Sequence, residues 1–327
     1  MRKCSCWVFV AMNRFGQSVS EKFKGLGMNL LNWWAQRGWC EIDCVTYERA
    51  SAQFGGSVIT HPEFIAAVSS LANMPLKYFG RFEGESLVGV VPTWGSFVAG
   101  DKRALKRAGQ YNRLDIGNME IILPFSPQVA AVPMHFKANN ISSLHSEQIK
   151  NSYRKSETLS LLKSYSDNEF SKKFLYNRNR EWRLLEAAGG AVNDISEFPL
   201  ADVFNWYVNL FELRWKKKPK AFEYLYHQLD VLKDFLTGKV LFFDNKPIAI
   251  QLLFLVQSPE WISVEYLNGG IDTNFFQYSP GTVLTYLNTQ SLSNYAQAQG
   301  KKLRYSFGLS DESYKALWCR KTPIYNT

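Results

Sequence analysis

The sequence has no long uninterrupted run of apolar residues. A membrane-spanning helix needs about 20 such residues in succession, whereas the best candidate in this 327-residue chain, over residues 240–256, is interrupted by Asp244, Lys246 and Gln251. Cysteine is also scarce: five residues, an odd number, argue against a disulfide framework and indicate a reducing compartment. An integral membrane protein and a disulfide-stabilised secreted domain are both disfavoured.

Common catalytic signatures are missing as well. The chain contains no G-x-S-x-G, H-E-x-x-H, G-x-x-x-x-G-K-[ST] or G-x-G-x-x-G motif, which disfavours hydrolases, zinc proteases, P-loop NTPases and Rossmann dehydrogenases. Cys40 and Cys44 precede His61, but their C-x3-C spacing has no second pair of ligands, so no metal is expected. The four histidines are interpreted as structural.

What the chain does have is a globular composition with a basic excess. Hydrophobic residues make up 46% and charged residues 20%, and 327 residues predict two domains at about 100–200 residues each. Lys and Arg number 38 against 29 Asp and Glu, for a net charge of +9. This excess suits phosphate-bearing ligands or an anionic membrane surface but falls short of a dedicated nucleic-acid binder, so sequence-specific DNA binding is not expected.

Residues 1–36 are interpreted as an N-terminal extension outside the fold. A basic start precedes a short apolar segment at residues 6–12, which resembles a signal peptide but is followed by no typical cleavage site. The alternative is that translation begins at Met28. Beyond the extension we predict one domain over residues 37–150 and another over residues 151–327.

The body of the chain has the pattern of a mixed α/β protein with a repeated hairpin. Residues 77–91 and 238–256 each contain two apolar runs separated by a short polar turn, as in β-hairpins. Aligning Phe82 with Phe243 and Val88 with Ile248 suggests a diverged internal duplication. A helix is predicted over residues 60–71.

The second half predicts a strand, a crossover helix and another strand. A strand over residues 261–267 is expected to end at Asn268 and the two glycines that follow, a helix to run from about residue 279 to 299, and a strand to return at residues 302–307. Helices are also predicted over residues 170–188 and 202–218. The order indicates a mostly antiparallel sheet with one crossover, and the start of a crossover helix is a place where anions bind.

The start of that helix is the candidate cofactor-binding site. Ser279, Gly281 and Thr282 are expected to hold a phosphate or pyrophosphate, with Gly281 permitting close approach of the ligand and Asn268 nearby. The plainer interpretation is that Ser279 only caps the helix, which Pro280 begins.

Three further residues are candidates for chemistry. Glu265, on the strand before the glycines, is the candidate general base, and Tyr314 is a candidate proton donor to a leaving group. Lys315 is expected to meet a phosphate. The alternatives are a solvated or paired glutamate and a capped terminal helix that packs Tyr314.

Basic residues near two helix ends are candidate contacts to the phosphates of a tRNA, phospholipid or lipopolysaccharide. The alternative is that they form solvated helix faces. These residues are Arg178, Arg180, Arg183 and Lys217.

Two blocks of the sequence resemble one known family. Residues 45–50, 53–58 and 60–62 are similar to the opening signature of the bacterial Mig (macrophage-inducible) virulence family, which is linked to resistance against cationic antimicrobial peptides. The resemblance extends over about residues 37–318. Its terminal block is matched at residues 279–281, 287–288, 302–303 and 306–308, Tyr314, Lys315 and Trp318.

The resemblance implies a tandem GNAT-like α/β (α+β) fold of the FemAB type, with mixed, mostly antiparallel sheets flanked by helices. Its first domain would be degenerate and its second would hold the donor. It also implies a cytoplasmic protein peripheral to the inner membrane. Because the Q/R-x-x-G-x-G/A loop of ordinary acetyltransferases is absent, acetyl-CoA is disfavoured as donor, and aminoacyl-tRNA or a longer acyl-CoA stays open.

Three functions remain open from the sequence. The first is a membrane-peripheral acyl- or aminoacyl-transferase that modifies an envelope precursor and thereby contributes to antimicrobial-peptide resistance. The second is a non-catalytic binding protein of the same fold that docks on anionic lipid or a partner. The third is a transcriptional regulator, although no helix-turn-helix pattern is evident.

Overall fold

Residues 38–327 are described by a computed structural model. The N-terminal extension and the alternative start at Met28 lie outside these residues. A four-stranded antiparallel sheet of order β1-β2-β3-β4 comes first, with three helices around it. Its elements are β1 (Trp39–Ile42), α1 (Cys44–Phe54), α2 (Pro62–Leu71), β2 (Lys77–Glu83), β3 (Ser86–Trp94), β4 (Phe97–Val98) and α3 (Lys102–Arg107).

An eight-stranded sheet of order β5-β12-β6-β11-β10-β9-β8-β7 contains the rest. Its strands are β5 (Ile141–Ser142), β6 (Tyr153–Leu162), β7 (Gly190–Asp194), β8 (Leu236–Phe243), β9 (Lys246–Gln257), β10 (Trp261–Ile271), β11 (Lys302–Leu309) and β12 (Cys319–Asn326). The helices between them are α4 (Lys172–Ala187), α5 (Leu200–Trp215), α6 (Phe222–Val231), α7 (Pro280–Ala298) and α8 (Lys315–Trp318). Short 3-10 turns lie at Val58–Thr60, Ser143–His145, Ile195–Glu197, Lys233–Phe235 and Thr273–Tyr278.

Strands β10 and β11 pair in parallel, whereas the other neighbouring strands of the described sheets pair antiparallel. A parallel pair needs a crossover connection, and α7 supplies it. Pro280 suits the first position of this helix because proline lacks an N–H that would be unpaired there anyway.

The two predicted hairpins have the same internal geometry. In each, two residues form the turn and one extra residue bulges from the second strand, Val88 in β3 and Ile248 in β9. The predicted alignment of Val88 with Ile248 therefore coincides with the bulges. The alignment of Phe82 with Phe243 is wrong by one residue, because Phe82 pairs with the residue before its bulge just as Phe242 does.

Strand β10 continues beyond the point where the sequence predicted a break. Leu267 forms a bulge, and the residues after it keep pairing with β9 as far as Ile271. The glycines serve another purpose: a Cβ at Gly270 would lie 2.4 Å from the backbone nitrogen of Phe211, so glycine lets α5 pack directly on the strand. The prediction failed because a glycine that ends a strand and a glycine that accommodates a close neighbour look the same in the sequence.

A polar seam joins one face of β10 to segments of the first half of the chain that lie outside the first sheet. The side chains of Ser263 and Glu265 accept hydrogen bonds from the backbone amides of Val58 and Glu120, at 3.3 and 2.8 Å. Trp261 donates its ring N–H to the carbonyl of Gly56 at 2.9 Å. These three β10 residues alternate along the strand and so share a face. The division into domains at residue 150 stays a prediction.

None of the helices within residues 38–327 is long and apolar enough to cross a membrane.

Candidate functional site

Strands β10 and β11 separate midway along the eight-stranded sheet. Their parallel pairing runs from Trp261 and Lys302 to Glu265 and Ser306, after which β10 stays paired with β9 and β11 with β6. The bulge at Leu267 and a register shift in β11 accompany the separation. A cavity of about 280 Å³ lies at this gap and is lined by residues of both strands and of α7.

The N-terminus of α7 faces this cavity through Ser279 and Thr282, with Gly281 between them. Ser279 has a left-handed backbone (φ 50°, ψ 47°), and its side chain makes no capping hydrogen bond. The backbone amides of Thr282 and Val283 both donate to the Ser279 carbonyl, at 2.9 and 3.0 Å. The capping role that was the plainer interpretation of Ser279 is therefore not observed. Its hydroxyl lies at the positive end of a 19-residue helix dipole.

Gln251, in the middle of β9, fixes this helix against the sheet. Its amide nitrogen donates to the hydroxyl of Thr285 at 2.8 Å, and its carbonyl oxygen accepts from Asn288 at 2.9 Å. Thr285 in turn donates to the carbonyl of Gly281 at 2.8 Å. Because the side chains of Gln251, Thr285 and Asn288 are buried and bonded, they hold the helix tip at the cavity. Gln251 was not predicted from the sequence. The one indication of its role was an amide side chain within an otherwise apolar strand.

Aromatic side chains line the opposite side of the cavity. Tyr266 of β10 stacks on Phe307 of β11, with ring centroids 5.5 Å apart, and Tyr314 and Arg214 lie beside them. Burial raises the pKa of both Tyr266 and Tyr314, and the Arg214 guanidinium partly opposes this. Both phenols are therefore neutral near pH 7, as a proton donor must be.

Glu265, the candidate general base, lies on the other face of β10. Its carboxylate accepts a hydrogen bond from the Glu120 amide at 2.8 Å, and its side chain is buried in the polar seam. Burial raises its pKa well above the usual range. The cavity is lined by Tyr266 rather than by Glu265 because successive strand residues point to opposite faces.

Asn268 and Lys315 have local structural contacts. The side-chain oxygen of Asn268 accepts from the amide of Gly269 at 2.9 Å. Lys315 is buried and donates to the carbonyl of Leu309 at 2.7 Å and to the carboxylate of Asp311 at 2.5 Å. The ammonium group thus closes the loop after β11. Neither residue lines the cavity, in contrast to Ser279, Gly281, Thr282 and Tyr314.

None of the predicted basic contacts lines this cavity. Arg178 forms an ion pair with Glu181 at 2.5 Å. Arg180 and Arg183 of α4 line a shallow depression together with exposed Tyr176 and Leu184. Lys217 is exposed in the loop after α5.

Within the described part of the chain, no cluster of three or more His, Cys, Asp or Glu side chains could hold a metal ion.

Several known structures are similar to this chain over most of its length. FemX aligns with 88% of this chain and 96% of its own, with a TM-score of 0.55 at 9% identity. L-PGS from Bacillus licheniformis aligns with 88% of this chain and 91% of its own (TM-score 0.45, 13% identity), and a tandem GNAT protein from the clavulanic acid biosynthesis pathway with 88% and 97% (TM-score 0.42, 9% identity). The predicted tandem GNAT-like, FemAB-type α/β fold is confirmed.

No curated protein sequence matches the chain. The family model described as Mig-14 matches residues 61–327, and the chain therefore belongs to the Mig-14 family.

Proposed function

We propose that this protein is an acyl- or aminoacyl-transferase that modifies a precursor of the bacterial envelope and contributes to resistance against cationic antimicrobial peptides. One observation carries the proposal: β10 and β11 part after Glu265 and Ser306, and the N-terminus of α7 faces the cavity that opens there. Such a gap can take the extended arm of a donor, while the helix end takes its negative charge.

The donor is an acyl-CoA or an aminoacyl-tRNA, both of which carry phosphates. The Gly281 amide and the hydroxyls of Ser279 and Thr282 are the groups available to bind them. A Cβ at Gly281 would meet only Ile271, at an ordinary 3.5 Å. The fold therefore does not require glycine at this position, which fits a role in leaving room for a ligand.

The transfer joins the acceptor's amine or hydroxyl to the donor's carbonyl carbon and breaks the donor's thioester or ester bond. Tyr314, whose phenol is neutral, donates its proton to the leaving sulfur or oxygen and then regains a proton from water. The acceptor's own proton passes to water, because Glu265 lies outside the cavity lining. Glu265 acts as a positioning residue that holds β10 against the segment containing Glu120.

The acceptor is expected at an anionic membrane surface. Arg180 and Arg183 lie beside Tyr176 and Leu184, whose exposed fractions are 69% and 55%. Paired basic and apolar side chains on one helix suit peripheral binding to anionic lipid. The protein would then act from the cytoplasmic side of the inner membrane.

Thermal unfolding in the presence of CoA thioesters and aminoacyl-tRNA tests the donor site, since a ligand that binds the folded state raises its apparent stability. Gly281→Ala is the informative variant. It should leave the free protein as stable or up to about 1 kcal/mol more stable, because alanine favours helix, while it reduces the ligand-induced rise in Tm. Ser291→Ala, on the exposed face of the same helix, is the matched control and should change binding little. A protein that binds neither donor class, or a Gly281→Ala variant that binds like the wild type, would contradict the proposal.

A second candidate is a non-catalytic binding protein that docks on anionic lipid or a partner. It is favoured by the lining of the described cavity, which includes no carboxylate and no histidine, and by the Tyr266–Phe307 stack at the gap. The two candidates differ in turnover. Donor binding without any product from a membrane extract would favour the binding protein.

A further inference from the structure

A second cavity, of about 400 Å³, lies beside α3 and is lined in part by the end of β11. Asn118 and Asn140 line it together with the basic residues Lys102, Lys106 and Lys155. Phe307 lines the first cavity and Leu309 the second. Only Gly308 separates these two residues, so the cavities are close neighbours.

Lys102 and Lys106 line this cavity, and Lys220 lies next to Tyr111 in its wall. Lys102 donates to the side-chain oxygen of Asn118 at 2.7 Å. Lys106 and Lys220 both lie over the ring of Tyr111, at 4.8 and 3.8 Å from its centroid. Burial lowers the pKa of Lys102 to about 8, and repulsion from Lys220 and Lys106 adds to this, while Asp115 opposes it.

The carboxylates around the cavity leave this positive charge incompletely balanced. Asp101 is held by Arg103 at 2.8 Å, and Glu157 by Lys155 at 2.6 Å. Asp115 is then the remaining carboxylate that acts on Lys102 and Lys220. Lys102 and Lys220 thus share one carboxylate, and Lys106 adds a further positive charge near Lys102. Clustered ammonium groups repel one another, and a bound anion removes the repulsion.

We propose that this basic cavity is a second ligand site, which binds a phosphate ester through Lys102 and Lys106, while the nearby Lys220 adds to the positive charge. Asn118 and Asn140 would orient the polar part of the ligand, while Ile59 and Leu309 provide an apolar wall for its carbon skeleton. This inference goes beyond the proposed function, since binding here requires no transfer. If the proposed function holds, the site anchors the phosphate of the acceptor next to the donor, and that consequence rests on it.

Calorimetric titration with inorganic pyrophosphate tests the site. Lys102→Met removes the charge but keeps the length of the side chain, and it should weaken binding at least about tenfold, as expected for a lost charge-assisted hydrogen bond. Lys106→Met should act in the same direction and, because Lys106 is exposed, should not perturb folding. Lys246→Met, at an exposed hairpin turn, is the matched control for net charge. Absence of pyrophosphate binding, or equal weakening by Lys246→Met, would overturn the proposal.

Two comparisons separate this site from the donor site and identify the source of the phosphate. Gly281→Ala should retain the pyrophosphate binding that Lys102→Met loses, so the two sites can fail independently. Displacement of pyrophosphate by short-chain phosphatidylglycerol indicates a lipid headgroup, and displacement by glycerol 3-phosphate a soluble ligand. Both results support a phosphate-ester site. Failure of both competitors would show that the cavity does not recognise phosphate esters.

Discussion

The hairpins β2–β3 and β8–β9 share a two-residue turn and a bulge at the same position, yet they end in different surroundings. In the first, Phe125 covers the strand so closely that a Cβ at Gly89 would lie 2.8 Å from its ring. The equivalent position in the second hairpin is Ala249, which is buried. The first sheet then ends at the two-residue strand β4, whereas the second continues into β10 and meets β11.

The difference shows that the hairpin alone does not produce a cavity. A cavity forms where a parallel partner strand arrives through the crossover helix α7 and then diverges, and the described first sheet is antiparallel throughout. The first half contributes something else. Gly56 contacts β10 and the turn before it through Ser258 and Trp261, and Glu120 binds Arg304 of β11. The first region thus supports β10 and β11, the two strands that separate.

The largest expected effect on stability comes from breaking the contact between the first region and β11. Arg304 donates to Glu120 at 2.7 Å, and the Glu120 side chain is only 2% exposed. Arg304→Met would leave a buried carboxylate unpaired and should lower the free energy of unfolding by about 3 kcal/mol or more, as measured by urea denaturation. Lys77→Met removes the exposed ion pair to Glu41 and should cost less than about 1 kcal/mol. Equal effects of the two substitutions would show that the seam contributes little.

A smaller effect is expected from exchanging the residues at the matched hairpin positions. Gly89→Ala should destabilise the protein by about 1–3 kcal/mol, because the new methyl group has no space beside Phe125. Ala249→Gly should cost about 1–2 kcal/mol through the lost buried methyl group and the added freedom of the unfolded chain. Both are measured by denaturant unfolding, and Gly89→Ala combined with Phe125→Leu should recover part of the loss. A neutral Gly89→Ala would contradict the difference between the two hairpins.

Local signals in the sequence predicted much of the fold. The helix over residues 60–71 and the crossover helix are observed within two residues, at Pro62–Leu71 and Pro280–Ala298, because proline and capping patterns mark where helices begin. The start of the crossover helix, which was predicted to bind an anion, lines a cavity. The catalytic and binding roles of the individual residues stay predictions.

Features that depend on distant partners could not be predicted. Glu265 is a plausible base in sequence, but the amide that it binds belongs to Glu120, 145 residues away. The basic cavity brings Lys102 close to Lys220 from separate segments of the chain. Gly270 accommodates the backbone of α5, whose position depends on the whole core. In each case the residue type is visible in the sequence, but the neighbour that determines its role is not.

The smallest effect is expected at the start of α7 in the second sheet's region, where Ser279 adopts a left-handed backbone. Ala221 has the same conformation at the start of α6 (φ 55°), which makes it a matched control outside the cavity lining. A non-glycine residue in this conformation costs about 1 kcal/mol, so Ser279→Gly and Ala221→Gly should each stabilise the free protein by up to that amount in thermal unfolding. Only Ser279→Gly should also reduce the rise in Tm caused by a CoA thioester or aminoacyl-tRNA, because it removes a hydroxyl from the donor site. If both variants respond to the donor like the wild type, Ser279 takes no part in binding, and its strained backbone only shapes the start of the helix.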